Sequence, residues 1–344
     1  MRYVSYEQLG NHPNIIVDGS GNSSTVLVLS HWPHSGTPPE LKADTSTEIV
    51  KKFLASDCRG DYEAKTQIVS NNHFDEDGLM SVWAMLNPEK AQQFHDKLIG
   101  VATAGDFSRV LDPEYAKIVF AINGLAPSID GDKYSGLLPK VEDLLTNISN
   151  YEKLWRNDCQ RLESDLKLID SGAVKITEHP QTDLVIIESP QPIDQMAICS
   201  RTDRLRVLTI SGEGFYQLQY RYESWVQVVS RVVLPRIDLY PLTDRLREIE
   251  EAQGDWRHDD TADITPSMQF VDFEGNPAPS SIPREIIIAE VIRFFEREQE
   301  NASLQWSPYD DAEKAACAII YEHSEPPITQ PLYNLESPKK RNED

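Results

Sequence analysis

Thr66-Gln67-Ile68-Val69-Ser70-Asn71-Asn72-His73-Phe74-Asp75-Glu76-Asp77-Gly78-Leu79-Met80-Ser81 is the stretch on which the fold turns. Thr66 to Val69 has strand character, and Leu79 to Leu86 has helix character. Between them one imidazole and three carboxylates fall within five residues, closed by Gly78. Alternate residues of an extended segment share a face, so His73, Asp75 and Asp77 can point to one side. Like charges this close are costly unless a cation sits among them. The turn therefore reads as a holder of divalent metal at the mouth of a hydrolase site.

Upstream, Ile15 to Val17 and Val26 to Leu29 are apolar runs that do not alternate, as buried parallel strands do. Asp18-Gly19 ends the first and Ser30-His31-Trp32-Pro33-His34 ends the second. Open α/β sheets place their ligands at such strand C-termini. Thr45-Ser46-Thr47-Glu48 offers N-caps for a helix from about Glu48 to Leu54. Residues 88–99 read as helix. Gly100-Val101-Ala102-Thr103-Ala104-Gly105-Asp106-Phe107-Ser108 follows, small enough for close backbone approach, and makes Asp106 a fourth strand-end candidate. Tyr115 to Asn123 reads as another helix.

From 137 to 170, Leu137, Val141, Leu144, Ile148, Tyr151, Trp155, Cys159, Leu162, Leu166 and Ile169 recur at helical spacing. An unbroken helix there would run roughly 50 Å, stopping at Ser171-Gly172. Beyond it, Leu184 to Ile187, Arg206 to Ile210 and Tyr216 to Tyr222 read as strands. The last two flank a hairpin turn at Ser211-Gly212-Glu213-Gly214. Helices are expected at about 225–233, 241–252 and 283–298. The expected organisation is an α/β domain with a mostly parallel sheet (1–135), a long connecting helix (136–172), an α+β substrate or cap domain (173–319) and a flexible, proline-rich tail (320–344).

The chain carries 33 Lys and Arg against 56 Asp and Glu, a net charge of -23. That argues against long duplex nucleic acid and anionic membranes, which need clustered basic residues. A short anionic substrate neutralised by metal is compatible with it. Four cysteines without a CxxC, no apolar leader and no run of 18 apolar residues point to a cytoplasmic protein. Nothing in the sequence sets the oligomeric state.

His73-Phe74-Asp75-Glu76-Asp77-Gly78 resembles the HxDxDG motif of the DHH phosphoesterase superfamily, whose members include single-strand exonucleases, oligoribonucleases, cyclic-dinucleotide phosphodiesterases and manganese pyrophosphatases. Val26-Leu27-Val28-Leu29-Ser30-His31-Trp32-Pro33-His34 is similar to that family's strand and Asp-His-His-Pro signature. Ala43-Asp44-Thr45-Ser46-Thr47-Glu48 is similar to the Ser/Thr-rich helix start after it. Ile16-Val17-Asp18-Gly19 resembles the segment with the metal-bridging aspartate, and Ala102-Thr103-Ala104-Gly105-Asp106 the one with the final metal-binding aspartate. The resemblance covers about residues 13–123. Its order is permuted, since the Asp18 and His31 segments precede HxDxDG. Ser30-His31-Trp32 stands where the family has Asp-His-His, and the usual Gly-Gly-Gly-His loop is missing.

The resemblance implies Asp18 bridging two ions, with His73, Asp75 and Asp106 on one and Asp77 with His31 or His34 on the other. Carboxylates and imidazoles suit Mn²⁺ or Mg²⁺. Two such ions would serve hydrolysis of a small or short phosphorylated substrate, a nucleotide or short oligonucleotide. His31, His34 and Arg109 are the candidate catalytic groups, Arg109 through a phosphate oxygen. The alternative is a catalytically degenerate relative that binds a nucleotide or protein partner. In the second half, Gly254-Asp255-Trp256-Arg257-His258-Asp259-Asp260 reads as a charged surface loop, or else as a ring and phosphate contact with Arg257 and His258 on substrate. Tyr216, Tyr220, Tyr222 and Trp225 read as core at strand spacing, or else as a stacking platform.

Overall fold

The structure is a computed structural model and describes residues 1–309; the tail expected from 320 lies outside them. The first half runs β1 (Arg2–Tyr3), β2 (Asn14–Val17), β3 (Thr25–Leu29), α1 (Ser46–Leu54), α2 (Arg59–Glu63), β4 (Ile68–Ser70), α3 (Glu76–Leu86), α4 (Pro88–Asp106) and α5 (Pro113–Leu125). Its four strands form a parallel sheet in the order β1-β4-β2-β3. Val17 pairs with Leu29 and Ile16 with Ser70. The C-terminal ends of β2, β3 and β4 are thus level, and the turns after them share one edge. β2 is buried along its whole length, as its unalternating apolar run requires.

The expected 50 Å helix is broken. α6 (Lys133–Leu137), α7 (Val141–Thr146) and α8 (Glu152–Asp170) are separated by 3-10 turns at Leu138–Lys140 and Ile148–Tyr151. Pro139 lacks an N–H, and Asn147 leaves helical geometry, so the apolar period continues while the axis does not. α8 packs on α5. Its Leu162 and Ile169 share one core with β2 and β3 on one side and with Val185, Ile187 and Val207 on the other.

Those last residues belong to the second sheet. It comprises β5 (Lys175–His179), β6 (Leu184–Ser189), β7 (Arg206–Ser211), β8 (Phe215–Tyr220), β10 (Asp255–His258) and β11 (Ser267–Val271), ordered β10-β11-β8-β7-β6-β5. Only the β6/β7 pair is parallel. α9 (Gln195–Cys199) links β6 to β7, and β9 (Arg236–Ile237) pairs with β12 (Gln305–Trp306). The far face of the sheet packs on α10 (Tyr240–Ile249) and α11 (Arg284–Glu298) in a second core. The whole is an α/β fold with a parallel sheet and a larger mixed one. Among the described residues no helix is long and apolar enough to cross a membrane.

The helix expected at 225–233 is absent. After a 3-10 turn at Tyr222–Ser224 the chain runs irregularly to β9. Its N–H groups are used elsewhere: Gln227 donates to the His31 carbonyl, and Val229 and Ser230 donate to Asp44. Gly100 to Ser108, expected to end in a strand-end aspartate, is mostly the end of α4.

Candidate metal centre

The turns after β2, β3 and β4 bring the acidic and imidazole groups together. Asp18 follows β2 in a left-handed conformation (φ 48). Asn71, just after β4, donates through Nδ2 to the Asp18 carbonyl at 2.9 Å and accepts the His73 N–H at 2.7 Å. Asn72 accepts the Ser20 N–H at 2.9 Å. These amides fasten the β2 turn to the β4 turn. Gly78 then lets α3 approach: a Cβ there would lie 2.3 Å from Tyr134 Oη and 2.4 Å from Asn71 Nδ2.

Each acidic residue has an element that fixes it. Asp75 caps α3, accepting the Gly78 N–H at 2.8 Å through Oδ1, while Oδ2 meets His73 Nε2 at 2.5 Å. Asp77 lies at the N-terminus of α1 and accepts the N–H groups of Ser46 (2.6 Å) and Thr47 (2.7 Å), where a helix favours negative charge. Thr45 caps α1 as the sequence suggested. Ser46 Oγ donates to Asp18 Oδ1 at 2.8 Å. Asp106 is the last residue of α4 rather than a strand end. Gly105 permits this, because a Cβ there would come 2.7 Å from the Glu76 Cβ.

His31 follows β3, and its Nδ1 lies 2.6 Å from the Asp44 carbonyl oxygen. A carbonyl only accepts, so Nδ1 carries the proton and Nε2 is the atom left toward the carboxylates. Nε2 is 3.5 Å from Asp18 Oδ1, 3.5 Å from Asp106 Oδ2 and 3.9 Å from Asp77 Oδ2. His31 Nε2, Asp18 Oδ2 and Asp106 Oδ2 are buried and have no hydrogen-bond partner among the described residues. Ligand atoms of Asp18, His31, Asp77 and Asp106 all lie within 4.8 Å of one another, and so do those of Asp18, His73 and Asp75. Asp18 belongs to both groups. The geometry regroups the implied ligands: Asp106 stands with His31 and Asp77, not with His73 and Asp75.

Burial, then the Asp75 and Asp77 charges, hold the Asp18 carboxyl well above the ordinary carboxylate range. Burial and the same two charges do so for Asp106. Burial also raises Asp77, against the His31 ring and the α1 N-terminus. Burial pushes Asp75 up too, but the His73 ring and the Gly78 N–H outweigh it and leave its pKa lowered. Glu76, adjacent but turned to α4 and α5, is pushed up to about 7 by burial first and the Asp75 charge second. Orphaned acceptors and several buried carboxylates, with no lysine or arginine paired to them among the described residues, fit a hard divalent cation.

The remaining expected residues stand outside the two groups of ligand atoms. Ser35 and Thr37 both donate to the Ser30 carbonyl, which curls the loop and leaves His34 exposed on it in a left-handed conformation (φ 54); it joins neither group. Arg109 follows the left-handed Ser108 and pairs with Asp203 at 3.5 Å. Gly254 to Asp260 is not a loop, because Asp255 to His258 pair with β11 as an edge strand. Arg257 is exposed there, and His258 bonds Thr243 at 3.1 Å. Trp256 is wholly buried, its N–H on Glu250, so it is core rather than a stacking ring. Tyr216 and Tyr220 are also core, their hydroxyls on backbone carbonyls.

Tyr222 and Trp225 differ. They sit beside the centre with Trp32 and Phe107 in a small apolar cluster. Arg221, buried, ties this segment to the end of α4 by donating to the Phe107 carbonyl at 3.2 Å. The structural roles of Asp44, Ser46, Asn71, Trp32 and Tyr222 escaped the sequence reading. For Ser46 and Asn71 a signal existed, since short polar residues abut two of the strand-helix turns. For Asp44 and Tyr222 the partner is remote in sequence.

Compared with known protein families, residues 1–306 match the one described as Family of unknown function (DUF6687). No curated protein and no solved structure matches the chain.

Proposed function

The chain belongs to the DUF6687 family, and we propose that it is a divalent-metal-dependent phosphoesterase acting on a small or short phosphorylated substrate, related to the DHH phosphoesterases by a permuted order of segments. The observation that carries this reading is the shared Asp18: two groups of ligand atoms, four residues and three, meet at one buried carboxylate. The carboxylate and imidazole donors suit Mn²⁺ or Mg²⁺ rather than thiolate-seeking metals. Asp18, His31, Asp77 and Asp106 would hold one ion, and Asp18, His73 and Asp75 a second. When bound, such a pair supplies an activated water and neutralises charge on the phosphoryl oxygens.

The protein's own residues do the rest. The Asp44 carbonyl and the α1 N–H groups hold His31 and Asp77 in place, so the donors need little reorganisation. The phosphate would enter past His73 and Asp75, whose side chains are 28% and 26% exposed, while Asp18, His31, Asp77 and Asp106 are at most 3% exposed. A net charge of -23 disfavours anions everywhere except where bound cations invert the sign. Ser30, in place of a carboxylate, accepts the N–H groups of Gly19 and Trp32 and braces the turn.

Release of p-nitrophenol from bis(p-nitrophenyl) phosphate by the full chain tests the reading. Turnover that requires Mn²⁺ and stops with EDTA is expected. Tight metal binding without turnover on this or on nucleotide substrates would favour the binding-protein alternative, and neither binding nor turnover would end the proposal.

A further inference from the structure

A pocket of about 370 Å³ lies at the outer edge of the parallel sheet and shares no residue with the metal centre. β1 is the edge strand there. The Arg2 and Val4 N–H groups donate to the Gln67 and Val69 carbonyls on the β4 side. N–H groups alternate along a strand, so that of Tyr3 faces the unpaired edge. Val4 and Ile68 give the pocket its apolar part, and Arg2, Ser5, Gln8 and His12 its polar groups. Asp132 is also in the wall, but its oxygens are in use. Oδ1 accepts the Tyr3 hydroxyl at 2.9 Å, and Oδ2 accepts the Ser135 N–H at 3.1 Å and the Ser135 hydroxyl at 2.5 Å. The donors are not in use: among the described residues no hydrogen bond or ion pair reaches the side chain of Arg2, Ser5, Gln8 or His12. This sets Arg2 apart. Every other described arginine has an ion pair or a hydrogen bond. Acidic groups outnumber basic ones by 56 to 33, so a guanidinium left without an acceptor in a pocket is the exception in this chain.

We propose that this pocket is a binding site for a small organic anion, its phosphate or carboxylate head held by Arg2 and His12 and its polar body by Ser5 and Gln8. A planar guanidinium takes two oxygens of such a head at once, and the imidazole and the edge N–H of Tyr3 add donors. The volume falls within the range of small-molecule sites, roughly 300–1,000 Å³. A cationic ligand fits less well, because the carboxylate in the wall already accepts three hydrogen bonds. Arg2, Gln8 and His12 are exposed, so the site is reached from solvent. It does not depend on the phosphoesterase reading. The two sites are neighbours all the same: Tyr3 packs on Tyr134 at 5.2 Å, and Tyr134 donates to the His73 carbonyl at 2.9 Å.

Calorimetric titration of the metal-free full chain tests this, with glucose 6-phosphate and citrate as the anions and glucose as the neutral control. Without cations the acidic centre repels both anions, so the heat reports the pocket. One anion per chain is expected, with no binding of glucose. Binding of only one of the two supports the site and identifies the head it accepts. Arg2→Gln should weaken binding about tenfold or more. Arg2→Lys should weaken it less, because the ammonium keeps the charge but not the fork. Arg257→Gln removes an exposed arginine elsewhere and should change nothing. Arg2 is exposed, so its variants should melt with the wild type. No binding of either anion, equal affinity in wild type and Arg2→Gln, or an equal loss in Arg257→Gln overturns the proposal.

Discussion

Asp106 shows what a single buried carboxylate contributes here. Its side chain is 3% exposed, 3.5 Å from His31 Nε2, and its Oδ2 has no hydrogen-bond partner among the described residues. With no cation bound, Asp18, Asp77 and Asp106 all have raised pKa values, with burial the largest cause. A carboxyl whose folded pKa is raised holds its proton longer in the native state than in the unfolded chain. Between the ordinary carboxyl range and the raised value the native state binds more protons, so stability falls as pH rises. Asp106→Asn should therefore melt higher than wild type when both are metal-free, and the gap should widen as pH rises above the ordinary carboxyl range. The same variant should lose Mn²⁺-dependent turnover. Thermal melts in EDTA across pH check this, and a gap that narrows with rising pH would contradict it. Asp75 and Asp77 are less clean probes because both also cap helices. Replacing either with Ala should cost about 1–2 kcal/mol of stability beside any loss of turnover.

At the scale of elements, two junctions decide whether the centre assembles. α3 must reach the β2 turn, and Gly78 allows it. Gly78→Ala would drive a methyl group against Tyr134 and Asn71, costing about 1–3 kcal/mol by overpacking and weakening Mn²⁺ binding; urea unfolding and metal titration would read the two effects. The segment after β8 must dock on α1. Asp44 does this with its carboxylate, accepting the Val229 N–H at 2.7 Å and the Ser230 N–H at 2.9 Å. Asp44→Ala keeps the backbone carbonyl that orients His31 but frees that segment. It should destabilise by about 1–3 kcal/mol and raise proteolytic cleavage near Val229 while leaving the Mn²⁺ stoichiometry intact. β2, β3, β4, β6, β7 and β8, the α1 cap and the strand-to-helix turn were legible because local pattern alone specifies them: apolar runs, short polar caps and a glycine at a close approach. Asp106 on a helix was not, since small residues suit a tight loop and a closely packed helix equally. The 225–233 segment was misread because its N–H groups go to His31 and Asp44, partners nearly two hundred residues away.

At the scale of the molecule, the centre lies where both halves meet. β2, β3 and β4 with α3 and the end of α4 present the candidate ligands, and residues 221–230 of the second half pack beside them. A sequence reveals charge runs and periodicity within a half, but not which loop of one half covers the other. Hence Tyr222 and Trp225 read as core before a stacking platform, and Arg257 and His258, read as substrate contacts, sit on an edge strand with partners of their own. The order of motifs matters less than their meeting point, because a parallel sheet sets its strand ends level whatever the chain order. Ion binding should also link to folding. At a free Mn²⁺ concentration of about 100 times Kd the native state gains ~2.7 kcal/mol per bound ion, so the melting temperature should rise with Mn²⁺ and fall back with EDTA. The most direct test is calorimetric titration of the metal-free full chain with Mn²⁺. Two ions per chain are expected, both lost or strongly weakened in Asp18→Asn because Asp18 serves both groups. No heat of binding in the wild type, or two ions retained in Asp18→Asn, would contradict the account.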